Sequence, residues 1–261
     1  MKKKISTAVF FSFLAVAWLV EARAEFMGKI PTGLLQLQKK HEYYLFVPKS
    51  YTMEKAWPLI LLVGKRADKP EEVIRPWVAW AETNQFLVLT PPNLTPDKDV
   101  PESADDWILG LKKEVLERYK VDPQQILLVG LEEGGHYAAY LGTRYPQEFS
   151  AAALVHEGWA GPYEKMIKPT SNKRKQLSFF VVADPADEKF SDLERKALEF
   201  EQKGYQVTFE NLKEKESLAT IQERILQWFQ AEAEAKSVLK ERPRVGFKDK
   251  VSGFFEDFFE V

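Results

Sequence analysis

Gly130-Leu131-Glu132-Glu133-Gly134-Gly135 has the spacing of a turn that presents a nucleophile between two glycines, yet its central position holds a carboxylate. Ile126-Leu127-Leu128-Val129 before it reads as a short buried strand, and Tyr137-Ala138-Ala139-Tyr140-Leu141 after it begins a helix. A strand, a Gly-x-nucleophile-x-Gly turn and a helix make a sharp bend that lifts the central side chain above a sheet. The glycines belong there because backbone crowds backbone at the bend, and only a residue without Cβ tolerates that. Acyl transfer at such a corner needs a nucleophile, a histidine to activate it and an acid to orient the histidine. Two backbone N–H groups must also hold the oxyanion.

The remaining residues with chemical potential are few. His156 follows the apolar run Ala151 to Val155, whose C-terminal edge should border the corner. Ligands in open α/β sheets bind outside those edges. An ion pair between Glu132 and His156 is the sharper expectation, raising the imidazole pKa and making a pocket sensitive to mild acid. The plainer reading makes His156 a surface histidine beside Glu157. His136 lies on the helix after the corner, as a packed or capping side chain, and His41 precedes a strand. Glu132, Glu133, His156 and Asp187 make a poor metal set, so no metal and no cofactor is expected. Gly64, Lys65 and Arg66 follow a strand that should end beside the corner. The two cations either pair with Glu132 and plug the pocket or receive an anionic ligand; plugging is the default, because a buried carboxylate without a partner is costly. Trp77, Trp80, Trp107 and Trp159 could edge an aromatic cleft, although core packing accounts for most tryptophans.

The elements that must position these groups alternate along the chain. Leu34 to Gln38 and Tyr43 to Pro48 read as an antiparallel pair, and Pro58 to Val63 is a continuous apolar run, the mark of a strand buried on both faces. Trp77 to Asn84 reads as a short helix and Phe86 to Thr90 as a strand. A helix with Ser103 as its N-cap ends near Tyr119. Leu177 to Ala183 and Tyr205 to Leu212 are further strands around a helix from Asp192 to Lys203, which Gly204 terminates. Leu218, Ile221, Ile225, Trp228 and Phe229 recur at helical spacing. This order predicts an α/β fold, a mostly parallel central sheet with helices on both faces.

Composition narrows the function classes. Lys2, Lys3 and Lys4, the apolar run Ile5 to Val20 and Ala22-Arg23-Ala24 form an export signal over residues 1–24. The apolar run is shorter than the about 20 residues a spanning helix needs. The chain has no cysteine, which excludes disulfides and suits a bacterial periplasm or exterior. Formal net charge is −2, and a mildly acidic surface argues against nucleic acid. Residues 25–234 then suffice for one α/β domain.

From Tyr43 to about Phe229 the chain resembles the α/β-hydrolase superfamily, and within it secreted esterases of the polyhydroxybutyrate-depolymerase and feruloyl-esterase kind. The resemblance rests on Tyr44-Leu45-Phe46-Val47-Pro48 before Trp57-Pro58-Leu59, and on Tyr119-Lys120-Val121-Asp122-Pro123 leading into Gly130-Leu131. Arg144-Tyr145-Pro146-Gln147-Glu148-Phe149 after the corner helix completes it. It implies a serine where this chain has Glu132, and a His-Gly oxyanion loop where it has Val63-Gly64-Lys65. The family's His-Gly-x-x-Asp becomes Ala183-Asp184-Pro185-Ala186-Asp187, so Asp187 matches the acid. The catalytic histidine should fall within Lys213-Glu214-Lys215-Glu216-Ser217, which contains none. Relatives that cleave carbon–halogen bonds or epoxides carry a carboxylate at the corner, normally aspartate, but their ester intermediate still needs a histidine-activated water. The triad is therefore degenerate. The expected role is non-catalytic, a pseudo-esterase binding a small ligand or an envelope protein partner; the alternative is a divergent hydrolase using Glu132 and His156.

A second feature lies at the C-terminus, assigned as an extension over residues 235–261. After the charged break Lys240 to Arg244, Phe247, Val251, Phe254, Phe255, Phe258 and Phe259 fall on one face of a helix. Such a face packs on the protein's own surface or docks into a partner groove. Insertion at a membrane surface is less favoured, because the interspersed charges are as acidic as they are basic. A structural subunit of an envelope complex, held by this tail, is a further expectation.

Overall fold

The computed structural model describes residues 30–241 apart from 39–40, 66–67, 93–101, 174–175 and 214–215. The export signal, Arg66 and the Phe-rich face (Phe247, Val251, Phe254, Phe255, Phe258, Phe259) lie outside the described residues.

An apolar run without polar alternation can be satisfied only where both sides of a strand are covered. The run Trp57–Val63 forms β3, buried along nearly all its length. Around it stand β1 (Gly33–Gln38), β2 (Glu42–Val47), β4 (Leu87–Thr90), β5 (Val121–Leu131), β6 (Ala151–Val155), β7 (Ser178–Ala183) and β8 (Val207–Asn211). They form one eight-stranded sheet in the order β1-β2-β4-β3-β5-β6-β7-β8. β1 and β2 pair antiparallel, as does β2 with β4; β4, β3, β5, β6, β7 and β8 run parallel.

Strand periodicity divides the core into two layers. Leu59, Leu61, Val63 and Leu128 face one side, with α2 (Glu102–Arg118), α3 (Gly134–Arg144) and α4 (Phe190–Gln202) packed over them through Leu111, Tyr140 and Phe200. Ile60, Leu62, Leu127 and Val129 face the other, beneath α1 (Pro70–Asn84) and α5 (Leu218–Glu241). Helices therefore cover both faces, as the alternation predicts.

Several boundaries differ from expectation, β5 among them, which starts at Val121 rather than Ile126. α1 starts at Pro70 rather than Trp77. Proline suits the first helical turn, and the hydrogen bond lost at the interior Pro76 is offset by the buried stripe Val73, Ile74, Trp77, Trp80 and Ala81. α2 begins at Glu102, which places Ser103 inside the helix and not at its cap. α5 continues to Glu241, into the segment assigned to the extension.

Candidate functional site

The corner has the geometry its glycines require. Glu132 sits between β5 and α3 with φ at 49°, a left-handed backbone that non-glycine residues rarely adopt. A Cβ on Gly130 would come within 2.6 Å of the Gly134 carbonyl oxygen, and one on Gly134 within 2.4 Å of the Val63 oxygen. The glycines thus let the helix start press against β5 and against the loop after β3. The Glu132 N–H donates to the Val155 oxygen at 2.8 Å, which ties the corner to the end of β6.

The partner Glu132 meets is Lys65, with Nζ 3.2 Å from Oε2. The expected pairing with His156 gives way to this one, because the loop after β3 brings a cation directly to the corner. That hydrogen bond, with the Glu132 charge behind it, raises the Lys65 pKa. The two side chains are 41 and 50 % exposed, so water screens the pair, and it lies over the corner without being buried in it.

Asp187, matched to the family's acid, is spent on its own turn. Its Oδ1 accepts the Lys189 N–H at 2.8 Å, and its N–H donates to Asp184 at 3.0 Å, shaping the entry into α4. Trp159 does not edge a cleft. It is 1 % exposed, with its ring centroid 4.7 Å from that of Phe200 and 5.1 Å from that of Phe179, inside the core beneath α4.

His136 and Glu157 form a buried contact that sequence reasoning passes over. His136 Nε2 lies 2.7 Å from Glu157 Oε2, both side chains being 11 % exposed, and the Lys189 ammonium donates to Glu157 Oε1 at 2.7 Å. The imidazole fits because residue 161 is glycine, where a Cβ would stand 2.8 Å from its Cδ2. The close approach of His136 to Glu157 is not directed as a hydrogen bond. Among the described residues His136 Nδ1 and Glu157 Oε2 have no hydrogen-bond partner. Burial, the largest influence, lowers the His136 pKa; Glu157 opposes it, and Lys189 adds to it. His156, the residue before Glu157, is left-handed with φ at 71°. No glycine marks that left-handed position, so the sequence carries no local signal for it.

His136, His156, Glu157, Lys189, Leu193 and Lys196 line part of a cavity of about 400 Å³ between α3, the loop after β6 and α4. His156 faces this cavity. Glu133 neighbours it on the corner, contributing a negative charge felt by Lys65, His136 and Lys189. Among the described residues no group of three or more metal-ligating side chains converges. No described helix is long and apolar enough to cross a membrane.

No protein-family model and no curated protein matches this sequence. Solved structures do. An S-formylglutathione hydrolase from Staphylococcus aureus superposes with a TM-score of 0.61 at 12 % identity, over 77 % of this chain and 98 % of that one. A ferulic acid esterase gives 0.60 at 14 % identity, over 77 and 96 %. A thermostable esterase gives 0.59 at 16 % identity over 76 % of this chain, which spans only 62 % of the esterase. The chain thus shares the fold of these hydrolase and esterase structures. At these identities the likeness concerns the fold alone, because chemistry resides in the site and not the scaffold.

Proposed function

We propose that this is an exported, non-catalytic protein on an α/β-hydrolase scaffold, which binds a small ligand or an envelope partner. The pairing of Glu132 with Lys65 carries this reading. The corner that holds a hydroxyl in the esterases it resembles holds here a carboxylate paired with a lysine, and the three imidazoles have other neighbours. His41 stands edge-on to Trp107, His136 packs against Glu157, and His156 lines the adjoining cavity. Loss of the serine or the histidine alone costs a triad enzyme about a million-fold in turnover.

The test is ester hydrolysis and fluorophosphonate labelling of the purified protein. The expected result is no labelled serine, with p-nitrophenyl ester hydrolysis identical in wild type and Glu132→Ala. Turnover abolished by Glu132→Ala would establish instead a divergent hydrolase using that carboxylate, with His156 the first candidate for its base.

A further inference from the structure

The outer N–H and C=O groups of an edge strand are free to pair with another strand, and proteins guard such edges with charges, proline or a bulge. The two edges of this sheet differ in that respect. β8 carries Glu210, whose carboxylate meets Arg224 of α5 at 3.3 Å, and Phe190 at the start of α4 packs edge-on against Phe209. β1 reads Gly-Leu-Leu-Gln-Leu-Gln, with no charge and no proline, and it pairs with β2 in unbroken register over all six residues. Among the described residues no strand pairs with its outer side.

The side chains of β1 are as incompletely covered as its backbone. Leu35 and Leu37 pack from the edge against the core layer under α2 and are only partly buried, while Gln36 and Gln38 are exposed. The two leucines border a groove of about 330 Å³ between β1 and α2, with Tyr43, Leu45, Val115 and Tyr119 on its apolar wall. An added strand that continued the sheet would satisfy the free backbone groups and cover this apolar strip together.

The residue order of β1 suits a second copy of itself. Two copies related by a twofold axis perpendicular to the sheet pair antiparallel, and the same patch serves on both. Gly33 is left-handed at φ 93°, so the extended part of the strand is Leu34–Gln38, and its middle residue is Gln36. With Gln36 on the axis and facing its own copy, Leu35 comes opposite Leu37 and Leu34 opposite Gln38. Every pair is then neutral. The two Leu35–Leu37 pairs fall on the α2 side, where they join the groove of one copy to that of the other. No charge on β1 would select a charged peptide, whereas this leucine and glutamine order complements itself.

From these observations we infer that β1 is a homodimer interface, at which two copies of this chain pair β1 with β1 antiparallel about Gln36 and join their sheets into one. Five paired residues span only about 17 Å. Such a ladder alone falls short of the about 1,200 Å² that a standard stable interface buries, so the dimer is weak and dissociates in the micromolar range. This interface goes beyond the binding reading above and does not depend on the chemistry of the corner.

The experiment is sedimentation velocity on the full mature chain over the micromolar range, with a charge swap at the axis. The expected result is a mass that rises with concentration from one copy to two. Gln36→Lys and Gln36→Glu each set two like charges directly opposite one another. Each should weaken association at least about tenfold, or about 1.4 kcal/mol, and an equimolar mixture of the two should restore the dimer. Gln36 is exposed, so both variants should keep the fold, which circular dichroism checks. Gln36→Cys gives a chain with a single cysteine, which mild oxidation should convert to a disulfide-linked dimer, because directly opposed residues lie within disulfide reach. A wild-type chain that stays monomeric throughout overturns the interface and leaves this edge to another segment of the same chain. A dimer unchanged by Gln36→Lys overturns it too and moves the contact to another surface. Charge-swapped variants that do not restore the dimer on mixing overturn the antiparallel register. None of these outcomes bears on the ester-hydrolysis test, so the two readings fail separately.

Discussion

Lys189 at the entry to α4 and Glu157 in the loop after β6 are joined at 2.7 Å across 32 residues of sequence. Glu157 thereby receives a cation on one oxygen and the imidazole of His136 against the other, so three elements meet on one carboxylate. The Lys189 pKa rises chiefly through this hydrogen bond. Glu157 lies 2.7 Å from His136 Nε2 and opposes the lowering of its pKa that burial causes.

The pH dependence of stability follows from His136. Its folded pKa is below the ordinary 6.5, so the folded state binds fewer protons than the unfolded chain. Its contribution is complete above that value and is lost as pH falls through the folded pKa. The urea midpoint should therefore decline in mild acid, and the decline should be smaller in His136→Gln. Equal slopes in the two proteins would show that other groups set the acid limb.

Asp105 on α2 makes a larger energetic demand. It is fully buried and accepts hydrogen bonds from the hydroxyls of Tyr137 at 2.8 Å, Tyr140 at 2.7 Å and Tyr145 at 3.1 Å. Asp105→Ala strands three hydroxyls, two of them on buried tyrosines, and should cost about 3–5 kcal/mol in denaturant unfolding. Tyr145→Phe removes one donor at the edge of the cluster and should cost about 1–2 kcal/mol.

The glycines separate close approach from mere helix position. A Cβ on Gly135 would stand 1.8 Å from the Glu157 carbonyl oxygen, whereas one on Gly110 meets nothing within 4 Å. Gly135→Ala should lose more than about 3 kcal/mol or fail to fold. Gly110→Ala, in the interior of α2, should gain about 0.5–1 kcal/mol. Thermal unfolding of the two variants tests the pair.

At the corner itself, backbone strain can be measured apart from charge. Glu132→Ala and Glu132→Gly both remove the contact with Lys65, but only glycine adopts the left-handed φ of 49° without penalty. The glycine variant should be the more stable of the two by about 1 kcal/mol, less the entropy glycine loses on folding. Equal midpoints would mean that the corner relaxes.

Much of the scaffold was legible in the residues. Trp57–Val63 and Ile126–Gly130 have continuous apolar character because parallel strands are covered on both faces, and that character survives any change of neighbours. The corner was legible because Gly130 and Gly134 are steric necessities. The start of α1 was hidden by Pro76, since a local breaker is overridden only when a buried stripe outweighs it.

By itself, the sequence determined the layered α/β architecture and the lack of a hydroxyl at the corner and of an imidazole in the loop after β8. These are matters of residue identity and short-range periodicity. Tertiary structure alone decided which charges meet. Lys65 reaches Glu132, Asp187 closes its own turn, Trp159 enters the core, and His136 finds Glu157. The His136–Glu157 contact and the buried Trp159 lie beside two left-handed residues after β6, His156 and Trp159, that carry no glycine signature. Side-chain direction at a strand end is set by a single φ, and the long-range packing that selects that φ leaves no local trace in the chain.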